Sequence, residues 1–158
     1  MAGTTAFIIN GTNISVVISG FDIEGLGNSV SPGVNGINFL NGASLIVRNT
    51  KIRGFRNGYG IDFRPAPMRS CSFTGAADFT LTDSNVAQNT GFGMIINGAA
   101  TTARVGNTTV TNDGTGITLL GSATVKSYGD NRLDGNTTDG AFSSILPKDR
   151  ARRYAPYP

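Results

Sequence analysis

The stretch Leu45-Ile46-Val47-Arg48-Asn49-Thr50-Lys51-Ile52-Arg53-Gly54-Phe55, followed by Gly58-Tyr59-Gly60-Ile61-Asp62-Phe63, holds the unit that decides the fold. Its first part runs apolar, any, apolar, a short polar turn, then apolar: Leu45, Val47 and Ile52. Its second part runs glycine, apolar, any, apolar: Gly60 to Phe63. Side chains alternate between the two faces of a strand, so each alternating pair points to one side. A single unit has one apolar edge and nothing to bury it against.

The unit returns along the chain. The first phrase recurs as Val16, Ile18 and Ile23, as Phe79, Leu81 and Val86, and as Ala103, Val105 and Val110. A last copy reads Ala123, Val125 and Leu133. The glycine phrase opens at positions 36, 60, 93, 116 and, in worn form, 140, with spacings of 24, 33, 23 and 24. The long spacing carries an insertion around Arg64 to Ser72. A fixed period of this size marks a stacked repeat architecture. Stacking neighbours buries a continuous core and pairs the strands of successive units. The expected fold is therefore all-β, a parallel β-solenoid with three short strands per rung. At a strand spacing of about 4.8 Å, five to six rungs make a rod roughly 25 Å long.

The pattern predicts inward columns. One is Ile18, Val47, Leu81, Val105 and Val125, and a second is Ile23, Ile52, Val86, Val110 and Leu133. A third is Ile37, Ile61, Met94 and Ile117, with Phe39, Phe63, Ile96 and Leu119 beside it. Asn57, Asn89, Asn112 and Asn136 sit just before the repeat glycines, where asparagine tolerates left-handed backbone and bonds its own turn. Stacked in register, they predict an amide ladder with a structural role.

Composition narrows the function. Of 158 residues, 22 are glycine and only 15% are charged, which suits a turn-rich β protein and not a helical bundle. The net charge is +3, and that excess lies in the tail, where Lys148, Arg150, Arg152 and Arg153 face only Asp149. The neutral body carries no clustered basic face for nucleic acid. Histidine is absent, which removes His-based triads, bases and metal ligands. The single cysteine, Cys71, forms no internal disulfide and reads as a small buried residue. No signal peptide and no membrane-spanning apolar run is read, so no membrane insertion is expected. Scattered threonines such as Thr80, Thr109 and Thr118 form no regular flat array of the kind that binds ice.

Val47 to Phe55 with Gly58 to Ile61 resembles the repeats of bacterial right-handed parallel β-helix proteins, of the pectate-lyase-like superfamily. The resemblance spans roughly residues 13 to 142. It implies a single-stranded right-handed parallel β-helix and an extracellular or cell-surface setting. It covers lyases, hydrolases, tailspikes and adhesins alike, so it says little about activity. The lyase signature Arg-x-Pro-x-x-Arg is missing; the nearest string is Arg64-Pro65-Ala66-Pro67-Met68-Arg69. The lyase tryptophan motif and the hydrolase Asp pair and Gly-His-Gly are absent too. No catalytic residue, metal or cofactor is carried over.

Two candidate sites remain. Arg48, Lys51, Arg53, Arg56, Tyr59, Arg64 and Arg69 lie near the two long connections, Gly25 to Val34 and Arg64 to Ser72. If those connections lie side by side, they frame a groove for an acidic sugar; the plainer reading is a solubilising edge. Asp113, Asp130, Asp134 and Asp139 crowd the last rungs and form the best carboxylate cluster, suited to a glycosidase pair or a hard cation. Ordinary turn aspartates are the plainer reading. The chain divides into a β-helix over 1–146 and a basic, Pro/Tyr-rich extension or cap over 147–158, with Tyr154 and Tyr157 as its anchors. The start, Met1 to Thr12, shows no capping helix, which points to a fragment of a longer solenoid or to a homo-oligomer joined through its ends or tail. The expectation is a non-catalytic module for structure, self-assembly or surface recognition. The alternative is a divergent polysaccharide-binding or polysaccharide-degrading β-helix protein.

Overall fold

Parallel strands in register dominate the architecture. The computed structural model describes residues 3–27, 30–65, 77–98 and 101–146. Cys71, Arg69 and the tail with Tyr154 and Tyr157 lie outside them. The described residues form no helix, and their strands fall into three parallel sheets, the arrangement of a β-solenoid.

Sheet A holds β1 (Phe7–Asn10), β4 (Asn35–Asn41), β7 (Tyr59–Phe63), β10 (Phe92–Asn97) and β13 (Thr115–Leu120). Sheet B holds β2 (Ser15–Ser19), β5 (Ser44–Arg48), β8 (Asp78–Thr82), β11 (Thr102–Gly106), β14 (Thr124–Ser127) and β16 (Ser144–Ile145). Sheet C holds β3 (Asp22–Glu24), β6 (Lys51–Arg53), β9 (Asn85–Ala87), β12 (Thr109–Thr111) and β15 (Arg132–Leu133). The chain visits A, B and C in turn and then returns to A one strand further along.

The register puts like on like. In sheet C, Ile23, Ile52, Val86, Val110 and Leu133 are successive partners. In sheet A, Phe7, Ile37, Ile61, Met94 and Ile117 form one column, and Ile9, Phe39, Phe63, Ile96 and Leu119 the next. Sheet B adds Ile18, Val47, Leu81 and Val105, alongside Val16, Leu45, Phe79, Ala103 and Val125. These side chains make one core, with the Phe63 ring stacked between Phe39 at 4.3 Å and Phe79 at 5.1 Å. Phe79 beside Ala103 pairs a large neighbour with a small one and keeps the column filled.

The repeat glycines answer to this close stacking. A Cβ on Gly36 would lie 2.5 Å from the Gly60 carbonyl oxygen, and one on Gly60 would lie 2.7 Å from that of Gly93. Only a residue without a side chain lets successive turns approach so closely.

The last copy of the repeat departs from expectation. Val125 pairs with Ala103, not with Val105, whose partner is Ser127. Ser127 is buried there because the following corner satisfies it: its Oγ accepts from the Gly129 amide at 2.9 Å and from Asn131 Nδ2 at 2.8 Å. Matching apolar residues alone had no means of seeing a serine held inward by its own turn.

Phe63→Ala opens a void in the aromatic stack and should cost about 3–5 kcal/mol in urea unfolding. Thr80→Ala, on the outer side of sheet B, should stay within about 0.5 kcal/mol of the parent.

Candidate functional site

Corners, not sheet faces, carry most of the polar chemistry. At the corner from C to A, inward short polar side chains receive backbone amides of the rung before or of the same turn. Asn89 Oδ1 accepts from the Phe55 amide at 3.2 Å. Asp113 Oδ1 accepts from the Asn89 amide at 2.8 Å and from Asn89 Nδ2 at 2.9 Å. Asn136 Oδ1 accepts from the Asp113 amide at 2.8 Å, and Asp139 Oδ1 from the Asn136 amide at 3.1 Å. This is the amide ladder, with two corrections to its membership. Asn112 holds the outer, left-handed position at φ 56°, and Asp113 takes the inward place. Asn57 is not a member either; Phe55, fully buried, stands in that rung.

Asp113 is thus an aspartate in an asparagine's place, only 3% exposed. Its Oδ2 is buried with no partner among the described residues. Asn136, one rung on, uses its amide nitrogen as a donor to the Val110 carbonyl at 3.2 Å. Asp113 has a donor to offer only when protonated. Burial pushes its pKa up from 3.8 to about 7, and the two bonds from Asn89 oppose that rise.

The acidic cluster does not assemble as a four-carboxylate site. Asp130 lies at the corner from B to C, where its Oδ1 accepts from the Asn107 amide at 2.9 Å. Asp113 and Asp139 are joined through Asn136 in the C–A ladder, while Asp134 sits exposed beside it. No group of three or more metal-type side chains comes together among the described residues.

The arginine groove also comes apart. Gly25 to Val34 lies between β3 and β4, at the C–A corner, whereas the segment after Arg64 lies between β7 and β8, at the A–B corner. Arg48 ends β5 in sheet B, Lys51 and Arg53 are in sheet C, Arg56 follows it, and Tyr59 opens β7 in sheet A. The side chains therefore surround the coil. Arg53 is engaged by Asp22 at 3.2 Å and Glu24 at 3.0 Å, and Arg48 Nε donates to Ser19 Oγ at 3.3 Å. Arg64 and Tyr59 do meet, with the guanidinium 5.5 Å from the ring centre. Arg64 also donates twice to the buried Asp62, and this bonding raises the Arg64 pKa above its usual value.

A second ladder went unread in the sequence. At the B–C corner, Asn49, Asp83 and Asn107 each take a left-handed backbone, at φ 48°, 51° and 44°. The next residue turns its hydroxyl inward: Thr50 donates to the Arg48 carbonyl at 2.9 Å, Ser84 to that of Thr82 at 2.7 Å, and Thr108 to that of Gly106 at 2.9 Å. The signal was present as Asn49-Thr50, Asp83-Ser84, Asn107-Thr108 and Asp130-Asn131, each just ahead of a short strand in sheet C. Beside this corner runs an open groove of about 470 Å³ bordered by Phe21, Lys51 and Asn85. A groove of about 590 Å³ follows the C–A corner, past Arg56, Gln88 and Asn112.

Asp113 makes stability depend on pH in a defined direction. Below 3.8 both folded and unfolded chains hold the proton; between 3.8 and about 7 only the folded chain keeps it. Stability should therefore fall as pH rises through that window, by up to about 4 kcal/mol. Asp113→Asn should flatten this dependence and raise the thermal midpoint at pH 8, measured by circular dichroism.

Comparison with protein-family models, with curated proteins and with solved structures finds no match to this chain.

Proposed function

We propose that this chain is a non-catalytic β-helix module with a structural and surface-recognition role. In this reading it coils right-handed, as crossovers between parallel strands prefer, through five to six rungs of the pectate-lyase-like kind. The observation that carries the proposal is what its carboxylates do. Asp113, Asp130 and Asp139 accept backbone amides at corners, and Asp83 accepts from Asn107 Nδ2 at 2.7 Å. Asp22, Asp62 and Asp78 are held by Arg53, Arg64 and Arg104. Groups engaged in holding the coil are poorly placed to act as general acid and base, which need a reacting atom within reach.

Incubation with polygalacturonate and with neutral polysaccharides should release no unsaturated or reducing sugar beyond a buffer control. Release that disappears in Asp134→Ala would instead favour the divergent enzyme, because Asp134 is an exposed acid of the last rungs.

Self-assembly is the second reading, favoured by apolar side chains on the outer sides of the first strands. Ile8 in sheet A and the register partners Val17 and Ile46 in sheet B face solvent. Such residues on a sheet exterior gain from being covered. Light scattering on a sizing column should then show a defined oligomer that Val17→Lys weakens. A monomer at every concentration would remove assembly and leave recognition.

A further inference from the structure

The groove beside the B–C corner combines polar side chains that no described residue engages with a half-exposed aromatic ring, Phe21. Asn49, Lys51 and Asn85 are among its lining residues. Their side chains make no hydrogen bond or ion pair with any described residue, whereas the carboxylates and arginines around them are largely paired. Asp83 gives one carboxylate oxygen to Asn107 and keeps the other. Lys51 is the register partner of Asn85 in sheet C, and Asn49, Asp83 and Asn107 follow one another on successive rungs. The groove therefore carries two adjacent rows of amide, ammonium and carboxylate groups, repeating at about the 4.8 Å strand spacing.

One end of the groove is apolar. Phe21 is 49% exposed, and Phe7 braces it edge-on, with ring centres 5.3 Å apart and planes at 74°. A half-exposed ring held by a second ring offers a fixed flat face. The beneath-surface hydroxyls of Thr50 and Ser84 are already turned to backbone carbonyls, so the rim supplies the contacts.

We propose that this groove binds a neutral oligosaccharide. A sugar chain has apolar C–H faces for the ring of Phe21 and hydroxyls that both donate and accept, which is what unengaged amides pair with. An extended chain suits a repeat of polar groups better than a compact ligand does. The charge is balanced: Lys51 and Asp83 both line the groove, while Asp22 is already held by Arg53. Neither a polyanion nor a polycation is favoured by that balance. The inference rests on the recognition reading above and adds to it a place and a ligand class.

The test is an NMR titration of the isotope-labelled chain with cello-, laminari-, manno- and xylo-hexaose, and with an oligogalacturonate of similar length. At least one neutral sugar should shift the amide signals of Phe21, Asn49, Asn85 and Asn107. Phe21→Ala should weaken it by about tenfold, close to 1.4 kcal/mol. Asn85→Ala, on an outward position, should weaken it without moving the unfolding midpoint, which separates lost contact from lost fold. Shifts confined to the C–A corner around Gln88 and Asn112 would overturn the groove and leave recognition standing. Binding of no neutral sugar, or tighter binding of oligogalacturonate, would overturn the ligand class while the non-catalytic reading stands. Cleavage of a bound sugar would overturn the non-catalytic reading and leave the groove in place.

Discussion

Each strand pairs with the equivalent strand of the next turn of chain, and everything else in this molecule depends on that register. Parallel pairing satisfies the backbone only if every corner returns the chain to the same height and phase. A slip of one residue would turn Ile52 or Val86 out to solvent along with every inward neighbour on its strand. The apolar columns of Phe39 and Phe63, or Ile52 and Val86, are therefore cause and consequence at once. They make the register worth keeping, and the register stacks them.

The corners bear the cost of that arrangement. Between strands the chain turns sharply, and some of its amides and carbonyls lose their sheet partners. Short polar side chains take over: Asn89, Asp113, Asn136 and Asp139 at one corner, and Thr50, Ser84 and Thr108 at another. An asparagine matches the task because it both accepts and donates. Asp113 matches it only with a proton, so this one substitution in the ladder couples the stability of the coil to pH. It also explains why so few acidic groups remain for chemistry. The proposed recognition role draws on side chains left unengaged at the B–C groove, beside the half-exposed ring of Phe21.

Some of this was legible before any coordinates. The alternation in Leu45 to Ile52 and the glycine period fixed strands, inward faces and stacking, because both follow from local geometry repeated at a constant interval. The ladder was legible as an idea at Asn89 and Asn136. It failed at Asn57 and Asn112, where neighbouring residues, Phe55 and Asp113, hold the inward place. Both members of a two-residue turn are polar in one rung and not in another, and sequence spacing does not say which of them points in. The serine at 127 was missed for the same reason, since its turn partners Gly129 and Asn131 make it acceptable in a buried column.

The amino-acid sequence by itself determined that this chain is an all-β repeat whose strands bury one face each, because alternation and period are properties of the chain alone. Only the tertiary structure decided which polar residues share a surface. Arg48, Arg56 and Arg64 are near in sequence yet leave the coil at different corners. Phe21, Lys51, Asn85 and Asn107 are far apart in sequence yet border one groove. Stacking brings together residues one full turn of chain apart, and the corner at which each one exits is set by how the whole rung closes.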